Sequence, residues 1–443
     1  MSKKDSYEIL CYNTDRSEIF GEASGVVFPK TVEEVKKAIF NNQNIVPRGL
    51  GTSIVGGCVP SNSLVVDMKQ MNKINFDFKL KKVHTEAGIT INELNEKLKA
   101  IGYEFPIYGE GTIGGMIAMN YPSFMGAYGN IKDWIEEIEF VNGKGELIKF
   151  TKSDIGEVCG MEGVTGIITS AKLRTIPYTE KSISVFQTSD VEEIFSMAKK
   201  FRSEKNISMI RIYSPYFSKV LGFPEKYHIF IIFNNNSGKI KGEEYKIIFR
   251  KLIKDYYNIS RAGYKDTEDS QFLFERIKDF VLFLDKFNIP YSGDLHLRII
   301  FSYFKDDLMK QEVIKLIQRM NCKPGKYGIG IKRKNLLENL QKKIIKRIKL
   351  RHDPYLKMNI GKVISIEEME TKSSNDESFS NSLTGTDDIN NIADDKVEEV
   401  FDANVNLNDI RKNNESNDIN FNINKNLIND IIFNKKSKEG FKK

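Results

Sequence analysis

Residues 47 to 60 read Pro47-Arg48-Gly49-Leu50-Gly51-Thr52-Ser53-Ile54-Val55-Gly56-Gly57-Cys58-Val59-Pro60, between two extended runs, Asn44 to Val46 and Ser63 to Asp67. No other stretch restricts the fold as much. Gly49 and Gly51 supply a G-x-G, and Asp67 stands where a ribose-binding acid would. A dinucleotide fingerprint of that kind, however, requires a helix to begin at the loop. Gly56, Gly57 and Pro60 forbid one, because Gly and Pro are the poorest helix formers. What remains is a strand–loop–strand unit. Glycines at this density let consecutive backbone N–H groups converge on one point, so the loop can cradle a diphosphate without a charged side chain. Arg48 and the hydroxyls of Thr52 and Ser53 add donors around it. A glycine-rich turn with no ligand is the bland alternative for this loop taken alone.

Two further clusters follow. Gly109-Glu110-Gly111-Thr112-Ile113-Gly114-Gly115-Met116-Ile117-Ala118-Met119-Asn120 comes after Phe105-Pro106, and Gly160-Met161-Glu162-Gly163-Val164-Thr165-Gly166-Ile167-Ile168-Thr169 precedes the strand-like Ala171 to Arg174. Together the three clusters resemble the FAD-binding, PCMH-type domain of the vanillyl-alcohol-oxidase superfamily. Its loops read P-R-G-x-G-T-S, T-I-G-G-x-x-A-x-N and E-G-T-x-G-I-I-T, and Val164 in place of the usual Thr is the visible departure. The resemblance spans roughly residues 20 to 364 and implies an α+β fold. Residues 20–180 would form two small subdomains clasping FAD. Residues 181–364 would form an α+β, ferredoxin-like substrate cap, and residues 365–443 a disordered tail.

By the same resemblance, FAD would lie against Pro47, Arg48, Gly49, Leu50, Gly51, Thr52 and Ser53, and against Thr112, Gly114, Gly115 and Asn120. Glu162, Gly163, Gly166, Ile167, Ile168 and Asn359 would complete the site. Backbone donors of 48–53 and 112–115 would hold the diphosphate. Relatives that attach flavin covalently use a His or Cys. The first loop has no His and Cys58 lies past the Gly pair, so noncovalent FAD is expected.

Composition narrows the remaining classes. A net charge of +7 over 443 residues, with no Lys/Arg block interleaved with aromatics, gives little support to nucleic-acid binding. The longest apolar runs, such as His228 to Phe233, suit strands and are too short to span a membrane. No apolar signal region follows Lys3 and Lys4, and Cys11, Cys58, Cys159 and Cys322 are scattered without C-x-x-C. A reduced, cytoplasmic protein without an iron–sulfur cluster is expected. Capping boxes at Thr31/Glu34 and Thr90/Glu93 mark two helices. The apolar stripe Ile91, Leu94, Leu98 and Ile101 extends the second of these to Gly102. Strands are expected at 82–88, 182–187 and 227–233, and helices at 191–202 and 242–257. The tail is rich in Asn, Asp, Ser and Lys, with too little apolar surface to offset ordering entropy. Its end, around residues 426–438, offers a short amphipathic helix as a peripheral membrane or partner contact, against the plainer reading of a solvated tail.

The cap carries the chemistry. In the glycolate oxidase, D-lactate dehydrogenase and D-2-hydroxyglutarate dehydrogenase branch, two His and a Glu hold a divalent metal and a further His is the base. Here Pro290-Tyr291-Ser292-Gly293-Asp294-Leu295-His296 and Gly325-Lys326-Tyr327-Gly328-Ile329-Gly330 keep those frames with altered content. A lone His holds a divalent ion poorly and a Lys repels one, so no bound metal is expected. Two readings stay open. Either Lys326 supplies the missing charge and Tyr327 or His296 moves the proton, oxidising a small 2-hydroxy acid such as glycolate or D-lactate. Or the chain is a noncatalytic FAD-binding subunit of a glycolate-oxidase-like complex, with Tyr291 and Tyr327 as filler. Electrons would pass to a quinone, dioxygen or a separate iron–sulfur protein. His352-Asp353-Pro354 through Asn359-Ile360-Gly361-Lys362 matches the closing motif of the branch and would bring Asn359 and Lys362 near the flavin ring. Arg276 matches a carboxylate-clamping arginine only loosely, and a helix-surface role is the simpler reading.

Overall fold

The computed structural model describes residues 6–370 apart from position 321. The expected disordered tail and its amphipathic end lie outside the described residues from position 371 onward. Ile366–Glu370 is a short helix, held back on the body by Lys342 to Glu368 at 2.7 Å, so ordered chain continues just past position 365.

Strands Glu22–Val27, Ser61–Asp67 and Ile45–Arg48 lie side by side in that order, all parallel. Adjacent parallel strands need a return connection of about a dozen residues or more, usually a helix. Between Ile45–Arg48 and Ser61–Asp67 that return is the glycine loop, which leaves the carboxyl end of its strand without becoming helical. A second sheet is antiparallel, in the order Ile74–Asp77, Lys82–Glu86, Gly166–Arg174, Ile135–Asn142, Leu147–Thr151. Thr90 and Glu93 form the full box on Ile91–Lys99, but at Thr31/Glu34 only half of the box forms. The Thr31 side chain accepts from the Glu34 N–H at the start of helix Val32–Phe40, while the Glu34 carboxylate accepts from the Lys30 N–H at 2.7 Å and not from Thr31. Ile91, Leu94 and Leu98 are buried, but the helix ends at Lys99 and leaves Ile101 partly exposed beyond it.

The cap is one six-stranded sheet. Edge to edge it runs Ser182–Thr188, Tyr227–Phe233, Ile207–Tyr213, Tyr291–Asp294, Ile299–Phe304, Asp266–Gln271, and every pairing is antiparallel. It is wider than a four-stranded ferredoxin-like sheet because the same strand–helix–strand–strand–helix unit occurs twice. Helices Val191–Arg202 and Gly242–Ile253 serve the first copy, and Phe274–Lys286 and Asp307–Arg319 the second. In each copy the third strand lies between the first and second, and the copies join where Ile207–Tyr213 pairs with Tyr291–Asp294. The expected helix over 242–257 is broken at Lys254, and a new helix, Asp255–Arg261, starts there.

Alternate residues of a strand face opposite sides of its sheet. Ile229, Ile231 and Phe233 therefore enter one core, with Ile194, Ile277 and Phe280 of the covering helices. Phe230 and Ile232 enter the other, with Met209 and Tyr213, and with Phe124 and Met125 from the first domain. Both faces are covered, which is why these strands read as unbroken apolar runs.

The chain then returns to the first domain through helix Asn339–His352. Lys349 is buried there. Its ammonium donates to Asp353 at 2.8 Å and to the carbonyls of Val164 and Met358, each at 2.9 Å. Removing one partner of a buried pair leaves an uncompensated charge. Lys349→Met should therefore lower unfolding free energy by about 3 kcal/mol, seen in urea titration as an earlier transition in the signal of the first domain. An unchanged midpoint would show that this return contact is dispensable.

Candidate functional site

A cavity lies where the glycine loops meet the cap. Its first wall is residues 47–53. The Ser53 hydroxyl accepts from the N–H of Gly57 at 2.8 Å and of Val55 at 3.3 Å, folding the loop on itself. The Thr52 hydroxyl donates to the Glu110 carbonyl at 3.3 Å. A Cβ on Gly49 would stand 2.3 Å from Thr112 Oγ1, so the first two loops touch only because Gly49 has no side chain. Gly51 has φ +70°, and a Cβ there would meet Arg48 Nη2 at 2.2 Å. Among the described residues, none accepts a hydrogen bond from the backbone N–H groups of Gly49, Leu50, Gly51, Thr52 or Ser53. Five donors without an acceptor, on residues that border one cavity, fit an anionic group such as the diphosphate of FAD.

The second wall differs from expectation. Ile113 N–H donates to Ile89 O at 2.9 Å, Gly114 N–H to Ala87 O at 2.8 Å, and Gly115 N–H to Thr112 Oγ1 at 3.2 Å. Thr112, Gly114 and Gly115 border the cavity, but these amides are engaged within the protein and are not diphosphate donors. Asn120 is off the cavity. It caps helix Ile113–Met119 in the left-handed region at φ +50°, and its Oδ1 accepts from Lys132 N–H at 3.3 Å.

In the third loop, Glu162, Gly163, Gly166, Ile167 and Ile168 all border the cavity. The Glu162 carboxylate accepts from the N–H of Ile329 at 2.6 Å and of Gly330 at 2.9 Å, so it holds the cap's return loop. Burial pushes its pKa up, against the pull of those two N–H groups. Asn359 is buried away from the cavity and bridges the first and third loops, donating to Gly57 O at 2.9 Å and Glu162 O at 2.7 Å. It is a tether between loops, where the resemblance had placed it beside the flavin ring.

Of the three expected catalytic residues, only Tyr327 borders the cavity. Its ring packs edge-on to Tyr121 at 5.4 Å and against Phe301 at 4.9 Å, and its backbone N–H donates to Asp269 at 2.6 Å. Burial pushes its hydroxyl well above the usual tyrosine range, with Tyr121 adding and Arg211 opposing, so it stays protonated and is no base at neutral pH. His296 lies in the turn between Tyr291–Asp294 and Ile299–Phe304 and does not reach the cavity. Burial, then the nearby Arg202, lower its pKa to about 4. Lys326 does not border the cavity either; its backbone N–H donates to Asp269 O at 3.3 Å. Arg276 is exposed on its helix, bonded to Met320 O at 3.1 Å.

What the cap presents instead is Arg211, Asp255 and Tyr303. Arg211 is only 5% exposed. Its Nε donates to Asp255 Oδ2 at 3.4 Å and its Nη2 to Ser292 Oγ at 3.2 Å, and the guanidinium lies 4.7 Å from the Phe124 ring centre. The Tyr213 hydroxyl also donates to Asp255 Oδ2. A signal for this group was present in the sequence: Arg211 is the one charge in the otherwise apolar or small run Ile-Ser-Met-Ile-Arg-Ile-Tyr. A cation in a strand buried on both faces needs partners. No group of three or more His, Cys, Asp or Glu side chains is gathered for a metal among the described residues.

Residues 23–151 match the FAD binding domain family. D-2-hydroxyglutarate dehydrogenase of Stutzerimonas stutzeri is 25% identical over 241 residues, which is 49% of this chain and 52% of that protein. D-lactate dehydrogenase of Archaeoglobus fulgidus is 30% identical over 170 residues, 34% of this chain and 38% of that one. The chain thus spans about half the length of these curated relatives or less. A solved structure of alkyldihydroxyacetonephosphate synthase superposes with a TM-score of 0.61 over 80% of this chain and 81% of that one, at 16% identity, and shares the fold. The protein carries a PCMH-type FAD-binding domain, and the unclaimed amides of residues 49–53 lie within it.

Gly49→Ala tests the cradle. The added methyl must push the first loop off Thr112, so we expect FAD affinity to fall at least about tenfold, a cost of roughly 1.4 kcal/mol, measured by flavin fluorescence on titrating FAD into stripped protein. Gly145→Ala adds a methyl at a turn glycine (φ +84°) that has open space around it and does not border the cavity, and should leave affinity unchanged.

Proposed function

We propose that this protein is an FAD-dependent oxidoreductase that oxidises a small 2-hydroxy acid, with glycolate and D-lactate as the leading substrates, and does so without a bound metal. The observation that supports this most is the shared cavity. The diphosphate cradle forms one wall and a buried guanidinium forms the other, so a cofactor and a small anion would meet in one enclosed space. FAD, when bound, supplies the two-electron acceptor for hydride from the substrate's α-carbon. The chain's own contribution is to hold a carboxylate, exclude water with Phe124, Phe301 and the tyrosines, and take up the hydroxyl proton. FAD is held noncovalently in this reading. The nearest nucleophile, Cys58, is bonded toward Asp15 at 3.5 Å, and burial pushes its thiol up to about 12, which leaves it unreactive. Reoxidation falls to a quinone, dioxygen or a separate iron–sulfur protein, since the four cysteines are free, separate thiols. No helix among the described residues is long and apolar enough to cross a membrane.

A noncatalytic FAD-binding subunit is the second reading, and one observation favours it: neither His296 nor Lys326 reaches the cavity. An anaerobic absorbance spectrum separates the two. On adding D-lactate or glycolate, bleaching of the flavin band is expected; a band that survives both acids supports the noncatalytic subunit. Acid denaturation should release all flavin to the supernatant, and yellow protein in the pellet would contradict noncovalent binding.

A further inference from the structure

The buried polar groups of the cavity are not used equally by the fold. A guanidinium carries five N–H donors in a fixed fork. Arg211 has two acceptors among the described residues, Asp255 Oδ2 and Ser292 Oγ, and both take it at long range, 3.4 and 3.2 Å. Arg211 borders the cavity, with its guanidinium 4.7 Å from the Phe124 ring centre and 5.7 Å from that of Phe301, and its remaining donors have no acceptor among the described residues. A buried cation held this loosely has room for a second, better-placed anion, and Arg–carboxylate pairing is favoured by the match of the two forks. Asp255 is complementary. Tyr213 and Arg211 both donate to Oδ2, and among the described residues Oδ1 has no donor, while Asp255 borders the cavity.

We propose that Arg211 and Asp255 together form the substrate subsite: the guanidinium binds the carboxylate of a 2-hydroxy acid, and Asp255 Oδ1 accepts the proton of its hydroxyl. This assignment rests on the hydroxy-acid reading above. The substrate O–H bond breaks with its proton passing to Asp255, the α C–H bond breaks as hydride leaves, and the C–O bond becomes a carbonyl. The products are a 2-oxo acid, a protonated Asp255 and a reduced flavin, so atoms and electrons balance. One carboxylate thereby has the proton-accepting role that neither Tyr327 nor His296 is placed to fill.

The environment of Asp255 suits a base that works near neutrality. Burial raises its pKa to about 7, with Arg211 and Tyr213 opposing. Tyr303, bonded to Ser292 at 3.1 Å, and Tyr121 and Tyr327 also face Arg211, and burial keeps all three protonated. Asp294, directly opposite Arg211 on the paired strand and raised by burial to about 6, is the other carboxyl near the pair, and Asp255→Asn separates its titration from that of Asp255. A base must be ionised to accept a proton. The rate of flavin reduction should therefore be full above pH 7 and fall as pH drops below it.

The experiment uses the full chain loaded with FAD. Oxalate, a nonoxidisable dicarboxylate, is titrated by calorimetry, and flavin reduction by D-lactate or glycolate is followed by anaerobic stopped flow across the acid and neutral range. Flavin content reports folding of every variant. Arg211→Met should weaken oxalate at least about 100-fold, in keeping with loss of a charge-assisted fork, and Arg211→Lys should restore part of it. Asp255→Asn, which keeps an acceptor for Tyr213, should bind oxalate nearly as the parent does. It should slow flavin reduction roughly 100-fold or more and abolish the acid limb. Arg211→Met with parental oxalate affinity overturns the carboxylate site. Asp255→Asn with the parental rate and pH profile overturns the proton acceptor. If oxalate binds through Arg211 but no 2-hydroxy acid reduces the flavin, the hydroxy-acid reading and the role of Asp255 both fall, and the anion site stands.

Discussion

The cavity exists because the Glu162 carboxylate holds two backbone amides of the cap, those of Ile329 and Gly330. Hydrogen bonds to an ionised group contribute about 1.5–3 kcal/mol each, and these two cross from the third glycine loop of the FAD domain to the return loop of the cap. Glu162 can reach them because its backbone is in the left-handed region at φ +47°, a conformation uncommon outside glycine that tertiary contacts must hold in place. Asn359 does that from behind, donating to Glu162 O and to Gly57 O, and is itself left-handed at φ +46°. Lys349 holds the next turn of chain through Val164 O. Three segments distant in sequence thus converge on one loop, and these polar contacts add to the apolar packing of Phe124 and Met125 against the cap in fixing it over the first glycine loop.

The sequence revealed the cradle because its chemistry is local. A glycine that must approach Thr112, or must adopt φ +70°, is visible as a glycine, and three such loops in fixed order point to one kind of domain. The capping boxes were legible for the same reason, since the interacting residues stand three apart. Asn120, Asn359 and the amides of residues 113–115 were misjudged for the opposite reason: a motif records that a residue is required, not what it touches. Gly114 is needed to pack under Ala87, where a Cβ would come within 2.8 Å of the Ala87 methyl.

Arg211 and Asp255 were harder to see because their meeting depends on the sheet. They are separated by 44 positions, and Asp255 looked like the interior of one long helix until the break at Lys254 made it the first residue of the next. Arg211 falls on the cavity face only because Met209 and Tyr213, two residues either side, face the same core. Strand pairing places it directly opposite Asp294, at the seam between the two copies of the cap unit. The seam is the one place where the doubled sheet brings side chains of both copies, Arg211 and Ser292, onto the face that covers the cradle.

Loss of the histidine and carboxylate frames around 290–296 and 325–330 changes how a negative substrate could be held. A divalent metal would need deprotonated ligands, neutral His and ionised carboxylate, and would lose them as they protonate. A guanidinium is charged at every accessible pH, and the buried Asp255 beside it raises Arg211's own pKa further, although burial alone would lower it. Such a pair is costly to desolvate and is weak evidence for stability. Its place at the cavity wall makes sense if the pair is completed by a ligand that carries both a carboxylate and a hydroxyl. The aromatic rings of Phe124 and Phe301 over the guanidinium strengthen that pairing by keeping water out, so the same burial that makes the free site expensive makes the occupied one selective for an anion.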